Sequence, residues 1–292
     1  MSSLPKIVII VGPTATNKTK LAIDLAKAIN GQIINADAYQ VYQDFSIGVN
    51  CPTTQQQSQI KFHLLNCISP TDAWDIKAFQ TRANVIIKEL LNNNIVPIIV
   101  GGSHLYIDAL INNYDLSATA RDVSFENLTS EELFAKLFAY DQHAATTNKN
   151  NRRRLIRALQ IYSQGKQLKK RNAALYEYII ISCEQERALL YQRINERVEW
   201  MLANGWIHEV KQLINKYPNW ESLPAFKALG YSLIAHALIN KGVIDKQKIM
   251  QLTRNYAKRQ ITWIHHHYTS VLVFNQKNKD EVIAQIKEWL SK

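Results

Sequence analysis

Residues Lys6 to Thr19 read KIVIIVGPTATNKT, and this stretch decides the fold. Ile7 to Val11 are consecutive β-branched residues, the pattern of a strand buried on both faces inside a parallel sheet. The loop that follows has the spacing G-x-x-x-x-N-K-T, formed by Gly12, Asn17, Lys18 and Thr19. It runs straight into a helix whose apolar positions are Leu21, Ala22, Leu25, Ala26 and Ile29. A strand, such a loop and a helix make a phosphate-binding turn. Backbone N–H groups cradle the anion, the Lys reaches its outer oxygens, and the hydroxyl faces a magnesium ion. Asn17 stands where the pattern asks for Gly. Asn is among the few other residues that tolerate left-handed backbone angles, so the turn is expected to survive. Gly31 is expected to stop the helix.

The totals set the outer limits. A chain of 292 residues has ample core for one large domain or two smaller ones. Its formal net charge of +11 points to a polyanionic partner if the charge is clustered. The cysteines, Cys51, Cys67 and Cys183, form no C-x-x-C pair. That pattern suits a reducing, cytoplasmic compartment and argues against a disulfide framework or a zinc site. The N-terminal MSSLPK leads into an apolar run far too short for a signal peptide or a membrane span.

Downstream, a short strand Gln32 to Asn35 leads to Asp37. In open α/β sheets the ligand crevice lies outside the carboxyl ends of the strands. A carboxylate there, beside a phosphate loop, suits a general base or a magnesium partner; a turn cap is the plainer alternative. Residues 43–60 read as loop, Phe62 to Ile68 as a strand, Asp75 to Asn92 as an amphipathic helix, and Ile95 to Val100 as another buried strand. That strand closes on Gly101-Gly102-Ser103 before the helix His104–Ile111. A nucleotide-hydrolysing protein of this class usually places a magnesium-holding Asp here. Two glycines and a hydroxyl instead suit close backbone approach to an anion, with Ser103 as donor, and weaken an ATPase reading.

The segment 113–173 has a different character. No acid falls between Asp141 and Glu177, whereas Lys149, Arg152, Arg153, Arg154, Arg157, Lys166, Lys169, Lys170 and Arg171 are basic. On an expected helix Asn151–Gln164, Leu155, Ala158, Leu159 and Tyr162 form an apolar stripe, with Arg153, Arg154 and Arg157 opposite. Such a face opposes nucleic-acid phosphates and gives salt-sensitive binding. The strand Tyr178–Cys183 then returns to the α/β pattern, so the basic segment reads as an insertion. Helices follow, carrying Arg193 and Arg197, then Arg254, Lys258 and Arg259, before a last strand Ser270–Phe274 and a last helix Asp280–Leu290. His265 to His267 have no Cys or carboxylate to complete a metal site and read as a helix end.

By this point the chain resembles the tRNA dimethylallyltransferase family over nearly its whole length. GPTATNKT (12–19) is similar to the family's GPTASGKT, and NADAYQVYQDFSIG (35–48) to its (S/N)ADSxQVYxxxxIG. IIVGGSHLY (98–106) resembles LVGGTxLY, and NNRRRLIRAL (150–159) resembles ND-x-x-RxxRAL. RINERVEWMLANGWIHEV (193–210), ALGY (228–231) and YAKRQITW (256–263) stand where the family has closely similar strings.

The resemblance implies a P-loop NTPase-like parallel-sheet core, 1–112 and 174–292, with an inserted basic helical domain, 113–173, that contacts tRNA. It implies a channel entered by dimethylallyl diphosphate at one end and by a flipped-out adenine at the other. Catalysis would fall to Asp37, Thr19, Arg197 and Ser103. The diphosphate would be held by Gly12, Thr14, Ala15, Thr16, Asn17, Lys18 and Thr19, with Mg2+ on Thr19. The stretches that match the family's tRNA contacts contain Asp37, Ala38, Tyr39, Gln40 and Ser103, then Arg153, Arg154, Leu155, Ile156 and Arg157. Lys227, Gly230, Tyr231, Arg254 and Lys258 complete them, and Arg121 is the best match to a family arginine. A cytoplasmic monomer is expected. The departures are Asn17 for Gly, Ala38 for Ser beside Asp37, Ser103 for Thr, and Asn150-Asn151 for Asn-Asp. Three other readings stay open: a prenyltransferase acting on free adenine nucleotide, a small-molecule kinase, and a tRNA-binding relative impaired at Asn17.

Overall fold

The β1 strand (Lys6–Val11) sits at the centre of the molecule's sheet because both of its faces are apolar. Ile7, Ile9 and Val11 enter one hydrophobic cluster, and Val8 and Ile10 enter another on the opposite face. All five are fully buried, a gain of roughly 1.5–3 kcal/mol for each side chain. Helices must therefore cover both sides of the sheet. The computed structural model describes residues 4–116, 122–165 and 171–292.

The sheet has six parallel strands: β1, β2 (Gly31–Asn35), β3 (Phe62–His63), β4 (Val96–Val100), β5 (Glu177–Cys183) and β6 (Leu272–Phe274). Their order is β3-β2-β4-β1-β5-β6. Helix α1 (Lys18–Ala28) covers one face through Leu21, Ala22, Leu25 and Ala26, beside Val282 and Ile286 of the last helix, Lys279–Ser291. On the other face lie Phe79, Ala83 and Ile87 of the helix Ile76–Asn92, and Ile107 and Leu110 of the helix His104–Ile111. This is a P-loop NTPase-like α/β core. Its neighbouring strands β2, β4 and β1 all end at the same edge, and their tips stay tied: Ala36 N–H donates to Val100 O at 2.7 Å and Gly101 N–H to Ile10 O at 3.2 Å.

Two compact units emerge, residues 1–111 with 174–292, and Asn112–Ala173. The second has its own small core, in which Leu133 and Leu137 of the helix Ser130–Tyr140 pack with Leu155, Ala158 and Leu159 of the helix Arg152–Tyr162. Asn151 caps that last helix, its side chain accepting the Arg154 N–H at 3.2 Å.

Local departures from the sequence reading have local causes. The strand expected over 62–68 keeps only its first two residues, because Leu64 and Asn66 take left-handed angles, φ 58° and 45°. One helical turn, Thr54–Gln57, forms within the expected loop, set by a capping box between Thr53 and Gln56. Asn30, at φ 51°, turns the chain after α1, and Gly31 already belongs to β2.

Candidate active site

The loop between β1 and α1 makes the strand–turn–helix that the sequence predicts. Gly12 takes φ 148° and lies against β5, where a Cβ would sit 2.7 Å from the Cys183 carbonyl oxygen, so no larger residue fits. Asn17 takes the left-handed conformation at φ 62°, ψ 25° and makes no side-chain cap; the chain enters α1 at Lys18. Its side chain is exposed. Ala15 also has a positive φ, 68°. Thr16 Oγ1 and Lys18 Nζ both donate to the Pro13 carbonyl, at 2.8 and 2.7 Å. The Lys18 ammonium is thus folded back over the loop, and burial lowers its pKa to about 8. Arg197 pushes in the same direction.

Around this loop the core unit holds a cavity of about 920 Å³. It is lined by Thr14 to Thr19, Asp37, Tyr39, Gln40, Gly101 and Gly102, and by Arg197, Lys227, Tyr256, Arg259 and Gln260. Asp37 follows β2, and its Oδ1 accepts the N–H groups of Tyr39 at 2.9 Å and Gln40 at 3.2 Å. Those bonds leave Oδ2 without a protein partner among the described residues. Exclusion of water raises the carboxyl pKa, while the Tyr39 and Gln40 N–H groups and Lys18 oppose that rise. Ser103 Oγ accepts the Ala38 N–H at 3.0 Å and also bonds the Tyr256 side chain, just behind the Gly101–Gly102 turn that lines the cavity. Arg197, from the helix Arg187–Ala203, donates Nη1 to Thr14 Oγ1 at 3.2 Å. Burial holds this guanidinium below its usual range, with Arg193 adding to the effect. An arginine starts so high that it stays charged.

The residues expected to meet RNA divide. Lys227 is exposed at the cavity, and Lys258 is exposed on the helix Lys246–His267. Gln40 spends its amide on the Val49 and Asn50 carbonyls, both at 3.0 Å. Arg254 donates to Asn195 Oδ1 at 2.6 Å. Arg153, Arg154 and Arg157 are exposed in the insertion unit, and Ile156 is half-buried. Leu155 and Tyr231 are fully buried, so their side chains hold the fold rather than face solvent. Gly230 takes φ 88° against Trp206. Arg121 lies outside the described residues.

Several residues at the site carry no role in the sequence reading. Glu209 is buried and accepts backbone N–H groups from Ser46, Ile47 and Gly48 at 3.0, 2.7 and 3.3 Å, and the Tyr231 hydroxyl at 2.6 Å. It fixes the loop that forms one cavity wall. A signal existed: Trp206, Val210 and Leu213 place position 209 on the buried stripe of its helix, where an acid needs partners. Gln260 likewise sits on the buried stripe with Ala257 and Ile264. Tyr256 reaches the Gly102 carbonyl at 3.3 Å, and Arg259 lies 5.8 Å from the Tyr256 ring centroid.

A family model described as IPP transferase matches residues 40–267. The chain belongs to the IPP transferase family. It is similar, at 39% identity, to a tRNA dimethylallyltransferase of Malacoplasma penetrans, with 98% of each chain covered. The crystal structure of a tRNA isopentenylpyrophosphate transferase from Bacillus halodurans superposes with a TM-score of 0.76 at 30% identity, covering 98% of this chain and 97% of that one. A eukaryotic dimethylallyltransferase acting on tRNA shares the fold at TM-score 0.84 and 24% identity, over 98% of this chain and 80% of that one. The family resemblance read from the motifs therefore holds across the chain. Among the described residues no helix is long and apolar enough to cross a membrane, and no cluster of His, Cys, Asp or Glu could hold a metal. His267 instead stacks on Trp263, with centroids 4.0 Å apart.

Proposed function

We propose that this protein transfers a dimethylallyl group from dimethylallyl diphosphate to the exocyclic amine of the adenine 3′-adjacent to the tRNA anticodon. The tRNAs would be those reading codons that begin with U. One observation carries the reading. A phosphate loop, a water-shielded carboxylate with a free oxygen and a half-buried arginine share one cavity, and β4 ends in Gly101-Gly102-Ser103 rather than an acid.

In the reaction the amine nitrogen forms a bond to the allylic carbon as the carbon–oxygen bond to diphosphate breaks. The bonding pair leaves with the diphosphate, and the amine proton passes to Asp37 Oδ2. Asp37 suits this task because its other oxygen is held by two N–H groups, which fixes its orientation. Lys18 and Arg197 neutralise the leaving group, and Ser103 adds a donor. Such preplaced donors act on charge that grows in the transition state.

Magnesium fits the donor set modestly. Thr19 lines the cavity and its hydroxyl makes no hydrogen bond among the described residues, so a hard oxygen is free for the ion. When bound, the ion supplies positive charge to the diphosphate oxygens. The exposed arginines of the insertion suit the tRNA backbone. A substrate of this kind places the enzyme in the cytoplasm, and we take it to act as a monomer.

The test is direct. Purified protein is incubated with magnesium, dimethylallyl diphosphate and unmodified tRNA, and the digested nucleosides are weighed, with Asp37→Asn alongside. Prenylated adenosine made by the native protein and lost in the variant is the expected result. Bound but unmodified tRNA under every donor and magnesium condition would overturn it.

A further inference from the structure

The strand tips that carry the site come from different parts of the chain, and one buried side chain bridges two of them. Gln260 Oε1 accepts the Thr14 N–H at 2.9 Å, and its Nε2 donates to the Gly102 carbonyl at 3.0 Å. Thr14 opens the phosphate loop after β1, and Gly102 lies in the turn after β4. The amide is only 4% exposed. It reaches both partners because Gly102 has no side chain, since a Cβ there would stand 2.1 Å from Gln260 Nε2. The connection continues on the far side. Ser103, next to Gly102, binds the Ala38 N–H through Oγ and the Ala36 carbonyl through its own N–H, at 3.0 and 3.2 Å, and so reaches the segment bearing Asp37.

We propose that Gln260 is a positioning residue for the reaction: its amide sets the phosphate loop at a fixed spacing from the Ser103–Asp37 side of the cavity. This rests on the function proposed above. The physical case is that group transfer is sensitive to small displacements between the leaving group and the attacking atom. Thr14 is the residue to hold, because its hydroxyl also takes the Arg197 hydrogen bond. A glutamine is suited to the place: one planar amide offers an acceptor and a donor at fixed separation, and no charge enters beside the anion. Leucine or methionine would fill the volume, leave the Thr14 N–H unpaired and leave the Gly102 carbonyl only the longer bond from the Tyr256 hydroxyl at 3.3 Å.

Gln260→Met keeps length and helix propensity while removing both hydrogen bonds. Gly102→Ala leaves the amide intact and displaces it, and it serves as the second variant if the first folds poorly. Affinity for inorganic diphosphate, KM for dimethylallyl diphosphate, kcat, tRNA affinity and melting temperature are measured for both, and for the double variant. We expect each single variant to weaken diphosphate binding and raise the donor KM by about ten-fold, the effect of removing one hydrogen-bond pair at a buried site. Turnover at saturating donor falls as well, and tRNA affinity is unchanged. The double variant is no worse than the worse single one, because both act through the same bridge. A lower melting temperature with native diphosphate affinity and donor KM would mean Gln260 is merely structural, and the inference fails alone. Native protein that binds no diphosphate and transfers no prenyl group would overturn the proposed function, and this inference with it.

Discussion

Arg197 Nη1 stands 3.2 Å from Thr14 Oγ1, a hydrogen bond that joins residues 183 positions apart and aims a half-buried cation at the loop after β1. The guanidinium has one donor on the loop and others left for a ligand. Arg197→Lys keeps the charge but loses the planar fork, and Arg197→Ala loses both. We expect roughly 100-fold lower kcat for Arg197→Ala, the scale of removing one transition-state donor. Arg197→Lys should fall between the native protein and Arg197→Ala. Steady-state kinetics with saturating tRNA checks the order.

Asp37 is held at a cost to stability. Its folded pKa is raised above the ordinary 3.8 by exclusion of water. The folded state then binds the proton more tightly than the unfolded chain, so stability falls as pH rises from the ordinary value through the raised one. Asp37→Asn removes that penalty. At neutral pH it should melt at a higher temperature than the native protein while prenyl transfer drops by about 100-fold or more. Calorimetry beside an activity assay reads both; a lower melting temperature would contradict the account.

Lys18 gives the site an alkaline limit. Burial lowers its pKa to about 8, and Arg197 contributes in the same sense. A Cys183 thiolate would pull the other way, but burial pushes that thiol up to about 12, so it is neutral in this range. The protonated ammonium is the form that attracts diphosphate. Affinity of the free protein for inorganic diphosphate should therefore be full below the lowered pKa and decline as pH passes about 8. Lys18→Met should bind weakly at every pH. Titration calorimetry across the range tests the sign.

Asn17 meets the backbone demand of the turn. It takes φ 62° with its side chain exposed and uncapped. Asn17→Gly should leave donor KM and melting temperature close to native. Asn17→Ala should lose about 1 kcal/mol, the cost of forcing a Cβ into the left-handed region without the help of a short polar side chain. Urea unfolding of both variants provides the comparison.

The insertion's basic face should act through phosphate charge. Arg153 and Arg157 are exposed on the side of their helix away from Leu155, Ala158 and Leu159. Arg153→Ala and Arg157→Ala should each weaken tRNA binding across sequences and reduce the salt slope by about 0.7–0.9 for every phosphate left without its cation. Filter binding at several salt concentrations reads the slope, and an unchanged slope would remove these residues from the interface.

The first strand, the phosphate loop and α1 were legible from residues 6–29 because their determinants are local. A run of β-branched residues needs cover on both faces, Gly12 and Asn17 admit the turn, and a helical apolar period continues from it. The basic insertion helix was legible for the same reason, its stripe and its arginines repeating within a few turns. Where local angles broke a pattern, at Leu64 and Asn66, the sequence read one strand too long. What only the tertiary structure decided is which distant side chains reach the loop. Gln260 meets Thr14 across 246 positions, and Glu209 meets Gly48 across 161. Periodicity shows that such residues are buried, but their partners depend on strand order and helix placement, which bring the carboxyl ends of β1, β2 and β4 to one edge of the sheet.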